Sequence, residues 1–304
     1  MKEKKMRRRS FLQYSAAAAF ATGLLARPAE TQASQEGPKL RKSLQLGMLP
    51  KRLSNADKFK LAKKCGFDGI EASPMEDLTV AEEMGKMARD AGVPIHSIVY
   101  GGWGAPLSDP TDEVQQKGLA GMRMALTSAK AFGCDAVLLV PAIVTETVGY
   151  GEAYERSQKN IRKLLPFAEK LGVVIAVENV WNKFLLSPLE FAAYVDEFQS
   201  PWVKAYFDVG NIAFYGYPQD WIRTLGKRIV KLHLKDFRLR EVKHWQVYSA
   251  EFVGLREGAI DWKEVHKALD EIGYSGAATV ELDPGDLAYL REVSRRVDLI
   301  LSGV

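Results

Sequence analysis

The feature that most constrains this chain is a phrase it repeats. An amphipathic stretch ends in a glycine, and a short apolar run follows at once. The instances are Lys64-Cys65-Gly66-Phe67-Asp68-Gly69-Ile70, Asp90-Ala91-Gly92-Val93-Pro94-Ile95, Phe132-Gly133-Cys134-Asp135-Ala136-Val137, Lys170-Leu171-Gly172-Val173-Val174-Ile175 and Glu271-Ile272-Gly273-Tyr274-Ser275-Gly276. Glycine takes the left-handed conformation that ends a helix. The Val/Ile/Leu runs suit strands covered on both faces. Each phrase is therefore a helix handing over to a buried parallel strand.

Eight such strands are expected, near 44–49, 69–73, 95–99, 136–141, 173–179, 203–208, 229–235 and 276–282. Helical stretches separate them, at 54–65, 78–91, 113–132, 152–171, 187–198, 218–226, 262–272 and 286–301. Eight alternating units without a long break predict an α/β fold of the (β/α)8 TIM-barrel kind, in one domain over 44–304. An open doubly wound sheet is the alternative, but no Gly-x-Gly-x-x-Gly follows the first strand. The longest connections, 100–112 and 236–261, follow strand ends, which in a barrel is the active face. Residues 34–43 read as a polar linker.

The first 33 residues read as an export leader. Arg8-Arg9-Ser10-Phe11-Leu12 resembles the twin-arginine (Tat) consensus. An alanine-rich apolar stretch from Tyr14 to Ala26 follows, too short for a stable membrane span. Thr31-Gln32-Ala33 suits cleavage after Ala33. The expected course is export through the Tat translocase, already folded, into the periplasm. Residues 1–33 hold seven of the 42 Lys and Arg and two of the 38 Asp and Glu. The remaining 35 basic and 36 acidic side chains give a net of −1, so nothing there attracts nucleic acid. The two cysteines, Cys65 and Cys134, each border a helix-ending glycine and read as buried apolar residues.

Four consecutive late strands end on polar groups. These are Val173-Val174-Ile175-Ala176-Val177-Glu178, Ala205-Tyr206-Phe207-Asp208, Ile229-Val230-Lys231-Leu232-His233 and Ala278-Thr279-Val280-Glu281. A carboxylate ending a buried apolar strand is costly unless it is paired or binds a cation. Three carboxylates and one imidazole around one point of the barrel mouth suit one divalent metal, Mn²⁺, Co²⁺ or Mg²⁺, better than structural zinc.

With Glu178, Asp208-Val-Gly-Asn211, His233-Leu-Lys-Asp236, Glu257-Gly-Ala-Ile-Asp261 and Glu281 in that order, the chain resembles the xylose-isomerase-like sugar isomerases and epimerases. These include ketose 3-epimerases, inosose dehydratase and pentulose- and hexulose-phosphate epimerases. The resemblance implies Glu178, Asp208, His233 and Glu281 as metal ligands, with Glu178 and Glu281 also exchanging a proton with a ketose or keto-sugar through an enediolate. It leaves a homo-oligomer open. Asn211 stands where ketohexose epimerases often place a histidine, and 179–185 lacks their second carboxylate, so the chain resembles more the phosphopentulose epimerase and hexulose isomerase branch. Export argues against a sugar phosphate.

Further pocket candidates are Asn211, Trp181, His96, Trp103, Lys235 and Asp236. His96 is placed at the end of the third strand. Lys235 and Asp236 read equally as substrate contacts or as a local pair fixing the loop. Glu71, ending the second strand, is a candidate partner for a ligand. Phe214, Tyr215 and Trp245 lie in or near post-strand loops, and His244 reads as solvent-exposed. The resemblance thus implies a metal-dependent sugar epimerase or isomerase, according to which carbon takes the proton back; a lyase or dehydratase of a 3-keto-glycoside or inosose and a non-catalytic sugar-binding barrel are the competing functions. A three-zinc DNA repair endonuclease needs more histidines than the four present.

Overall fold

The structure, a computed structural model, describes residues 40–304, apart from 244 and 245 and from the side chains of 240–249. The export leader read at 1–33 lies outside the described residues, as do His244 and Trp245.

The strands are β1 Arg41–Gln45, β2 Gly69–Ala72, β3 Ile95–Gly101, β4 Ala136–Leu139, β5 Val174–Glu178, β6 Val203–Asp208, β7 Ile229–Leu234, β8 Asp236–Lys243, β9 Gln246–Val253 and β10 Ala277–Val280. β1 to β7 and β10 form a closed parallel barrel, sealed where β1 pairs with β10. β8 and β9 form a separate antiparallel hairpin. The helices are α1 Asn55–Lys64, α2 Leu78–Asp90, α3 Asp112–Phe132, α4 Tyr150–Arg162, α5 Leu165–Leu171, α6 Pro188–Asp196, α7 Val209–Ile212, α8 Pro218–Leu225, α9 Trp262–Glu271 and α10 Leu287–Leu301. The (β/α)8 barrel expected from the repeated phrase is the fold. Among the described residues no helix is long and apolar enough to cross a membrane.

Local chemistry sets the element ends. Ser54, Asp77, Ser187, Asp261 and Asp286 each cap a helix by accepting from a backbone N–H of its first turn. Gly172 closes α5 at φ 68°, a conformation that costs a side-chain-bearing residue. The single helix expected over 152–171 is two, because Pro166 opens α5 and has no N–H to continue α4.

The linker expected over 34–43 is corrected at its end, since β1 begins at Arg41 rather than 44. Lys42 is buried, yet its ammonium reaches Ser294 Oγ at 2.8 Å and Asp298 Oδ1 at 2.6 Å on α10. A snorkelling lysine lets a polar tripeptide form a barrel strand. The loop expected over 236–261 is also corrected, because it holds the β8–β9 hairpin.

The apolar core lies between the barrel and its helices, with Phe59, Phe67, Phe132, Phe191 and Phe207 fully buried. Inside the barrel the filling is partly polar: Ser43, His96, Ser97, Tyr206 and Thr279 are buried there, below the mouth. Cys65 and Cys134 are free and buried, and burial pushes the Cys134 thiol up to about 12.

Candidate metal centre

Four neighbouring strands deliver one ligand group each. Glu178 and Asp208 are the last residues of β5 and β6, His233 is the fifth residue of β7, and Glu281 follows β10. Parallel pairing sets Asp208 level with His233. One ligand atom from each of the four lies within 4.8 Å of the others. His233 Nδ1 is 2.9 Å from Glu178 Oε1, 3.1 Å from Glu281 Oε2 and 3.7 Å from Asp208 Oδ2. Three carboxylates and one imidazole nitrogen fit an oxygen-preferring divalent ion. Asp208 Oδ2 carries the clearest sign: it is fully buried and accepts no hydrogen bond, with the Lys235 ammonium near it at 3.0 Å in poor hydrogen-bond geometry. A buried carboxylate oxygen without a donor is expensive unless a cation completes it.

The imidazole is fixed from below. His233 Nε2 lies 2.7 Å from Glu71 Oε2, which leaves Nδ1 for the ligand cluster. Glu71 also accepts from Ser97 Oγ at 2.8 Å, Tyr206 Oη at 2.5 Å and Gln45 Nε2 at 3.2 Å. Burial alone would raise the Glu71 carboxyl, but His233, His96 and Tyr206 hold it down at about 2. His233 is raised well above its ordinary value, since Glu71, Glu281 and Glu178 outweigh its burial. Glu178 is pushed up by burial to about 7, with His233 pulling the other way.

Two ligand-bearing strand ends are tied together. Asn179 donates to the Asp208 carbonyl and accepts from the Asp208 N–H, both at 2.9 Å. Asp208 Oδ1 accepts from the Asn211 N–H at 2.7 Å, and Asn211 Nδ2 donates to the Asn179 carbonyl at 2.9 Å. Asp208 is thereby held by one oxygen while Oδ2 faces the cluster.

The model of the xylose isomerase-like TIM barrel family matches residues 59–296. The chain belongs to that family. An L-ribulose-5-phosphate 3-epimerase of Escherichia coli O1:K1 is 25% identical over 259 residues, covering 80% of this chain and 88% of that protein. A crystal structure of D-psicose 3-epimerase with D-fructose superposes with a TM-score of 0.72 at 18% identity, covering 86% of this chain and 99% of that one. The 3-keto-D-glucoside 4-epimerase YcjR of E. coli superposes with a TM-score of 0.72 at 16% identity, covering 87% and 100%.

The mouth of this xylose isomerase-like barrel opens on a cavity of about 690 Å³ beside the ligands. Gln45, Lys235, Phe252, Glu281, Asp283, Tyr289 and Arg296 are among its lining residues. Arg296 is engaged by Glu257 and Glu292, so its charge is spoken for. Lys235 lies 3.0 Å from Asp208 Oδ2 and 2.8 Å from Glu281 Oε2.

The other pocket candidates scatter. His96 is the second residue of β3, not its end, so the strand-end placement is corrected. It is buried inside the barrel, near Thr279 Oγ1 at 3.1 Å and Ser97 Oγ at 3.0 Å. Asp236 faces away from the ligands. Its Oδ2 accepts from Gly258 N–H at 3.1 Å and Trp262 Nε1 at 3.0 Å, and its Oδ1 from Phe237 N–H at 2.8 Å. A Cβ at Gly258 would meet Asp236 Oδ1 at 2.0 Å, which explains the Glu257-Gly258 phrase. Lys235 and Asp236 therefore do not pair with each other; each anchors something different. Asn211 is buried in the strand-tying network. Trp181 is 49% exposed, donates to the Asn211 carbonyl at 2.9 Å and stacks on Phe252 at 5.2 Å. Phe214 and Phe237 complete that aromatic wall. Trp103 is 52% exposed beside Gly101, and neither tryptophan lines the cavity. Sequence reasoning missed Gln45, Ser97 and Tyr206 as partners of Glu71. Their only signal is a polar group inside a buried strand.

Proposed function

We propose that this protein is a divalent-metal-dependent sugar epimerase acting on an unphosphorylated ketose or keto-sugar. The convergence of Glu178, Asp208, His233 and Glu281, the last of which borders an open cavity, carries the reading. A divalent ion held there would polarise a substrate carbonyl and its neighbouring hydroxyl, making the adjacent C–H acidic.

The chain's own residues supply the rest. Glu178, a buried carboxylate closing β5, is one proton-transfer group. Glu281, at the cavity edge and one-third exposed, is the second proton-transfer group. One takes the proton from one face of the substrate carbon and the other returns one to the opposite face, which inverts that centre. Asn179 and Asn211 hold Asp208 in place beside them, and Glu71 holds His233.

The lining supports an unphosphorylated substrate. Among the described residues, Glu257, Glu281, Asp283 and Glu292 border the cavity, and the two cations there, Lys235 and Arg296, are paired with carboxylates. A phosphate entering there meets net negative charge from the described lining residues. The ribulose-phosphate epimerase relative is named for a phosphorylated substrate. The twin-arginine leader read at residues 1–33 supports the periplasm as the place of action.

The deciding experiment incubates Mn²⁺-loaded protein with ketoses and keto-glycosides in D₂O and follows products by NMR. An epimerase exchanges one C–H for C–D and inverts that carbon with no group lost. Release of water or an aglycone would make it a lyase. Binding without exchange on any substrate would make it a sugar-binding barrel.

A further inference from the structure

We propose that the Lys235 ammonium is the resident counter-cation of the ligand cluster, and that a divalent ion entering the site displaces it into the adjoining cavity. The inference rests on reading the four residues as a metal site.

The geometry is specific. Lys235 Nζ lies 3.0 Å from Asp208 Oδ2 and 2.8 Å from Glu281 Oε2. Those are the same two oxygens that turn toward His233 Nδ1, at 3.7 and 3.1 Å. An ion bound by those oxygens and that nitrogen would stand directly against the ammonium. Two cations on one pair of oxygens, that of Asp208 fully buried and that of Glu281 partly so, repel each other.

The contact at Asp208 neutralises without completing. Oδ2 accepts no hydrogen bond although the ammonium is 3.0 Å away, so the approach is a charge contact with poor hydrogen-bond geometry. A lysine so held is a substitute for a ligand-bound ion. It also has somewhere to go. Its side chain is 16% exposed and borders the cavity of about 690 Å³. The half-exposed Phe252 ring lies 5.7 Å from Nζ on that side, offering the ammonium an aromatic face. A four-carbon stem makes the swing without backbone movement.

The test is metal affinity in the full-length chain, measured calorimetrically with MnCl₂ after chelator dialysis, for wild type, Lys235→Met and Lys235→Gln. Displacement predicts that both variants bind Mn²⁺ more tightly, by on the order of tenfold or more, because no cation has to leave. It also predicts that the metal-free variants melt below metal-free wild type, while the loaded forms melt together. Unchanged or weaker affinity in folded variants overturns the proposal, since the lysine then serves the loaded site. If a variant folds only when Mn²⁺ is added, the counter-cation role stands; if Mn²⁺ does not rescue it, the role falls. Wild type that takes up no Mn²⁺, Co²⁺ or Mg²⁺ defeats the metal reading itself, a separate failure.

Discussion

Glu71 grips the imidazole of His233 from inside the barrel, with Oε2 2.7 Å from Nε2. The pairing crosses from β2 to β7, so a ligand on one side of the mouth is aimed by a residue on the other. Glu71 takes contacts from four side chains at once, Gln45, Ser97, Tyr206 and His233. A glutamine has one acceptor oxygen and cannot serve them all. Glu71→Gln is expected to weaken Mn²⁺ binding by about 10- to 100-fold, as losses behind a metal-bound histidine do. Calorimetric titration checks it, with circular dichroism to confirm the fold.

Metal removal has a stability readout. Three ligand carboxylates crowd one imidazole and one ammonium. Mn²⁺ at about a hundred times its dissociation constant is expected to stabilise the fold by about 3 kcal/mol, and chelator to reverse the gain. Thermal melts at several Mn²⁺ concentrations measure it, and a melting point indifferent to metal would contradict the site.

Glu281→Gln keeps the size of the side chain and removes its charge. Turnover is expected to fall by about 10²- to 10⁴-fold, the usual worth of a proton-transfer group. The rate of C–H to C–D exchange in D₂O reports the loss. Metal content measured on the same sample separates a chemical effect from an empty site.

His96 makes the fold acid-sensitive. Burial holds its imidazole down to about 3, with Lys231 adding repulsion. In the unfolded chain an imidazole titrates near 6.5. Above that pH both states are neutral and His96 contributes its full share of stability. Between about 6.5 and about 3 the unfolded chain takes up a proton that the native fold refuses, so stability falls as pH falls. At pH 5 the loss is about 2 kcal/mol. Urea melts from pH 7.5 to 4.5 are expected to follow this slope, and His96→Gln to flatten it.

Asp236→Ala tests a structural clamp. The substitution strands the Gly258 N–H and the buried Trp262 indole N–H. Each buried donor left unpaired costs about 1–3 kcal/mol. Denaturant unfolding is expected to register several kcal/mol, with Mn²⁺ affinity unchanged because Asp236 touches no ligand.

The barrel and the convergence of the four candidate ligands were legible for the same reason. A carboxylate or imidazole closing an apolar buried strand is anomalous without a partner, and parallel pairing brings four such ends to one point. What stayed hidden depended on a partner far along the chain. Arg41-Lys42-Ser43 reads as linker until Lys42 is seen to reach α10. Asp236 beside Lys235 invites a local ion pair, yet its partners lie 22 and 26 residues on. The hairpin left a weak trace, since Phe237-Arg238-Leu239 alternates with period two. His96 was misplaced because the start of its strand was read as its end, which lifted an interior residue to the rim.

The seam between β1 and β10 limits how far the chain can be shortened from its amino end. β1 is the shared neighbour of β2, which carries Glu71, and of β10, which precedes Glu281. Trimming past residue 40 would leave both strands with bare edges, and the cradle under His233 and one wall of the cavity would loosen together. A protease site placed within β1 would open the cylinder.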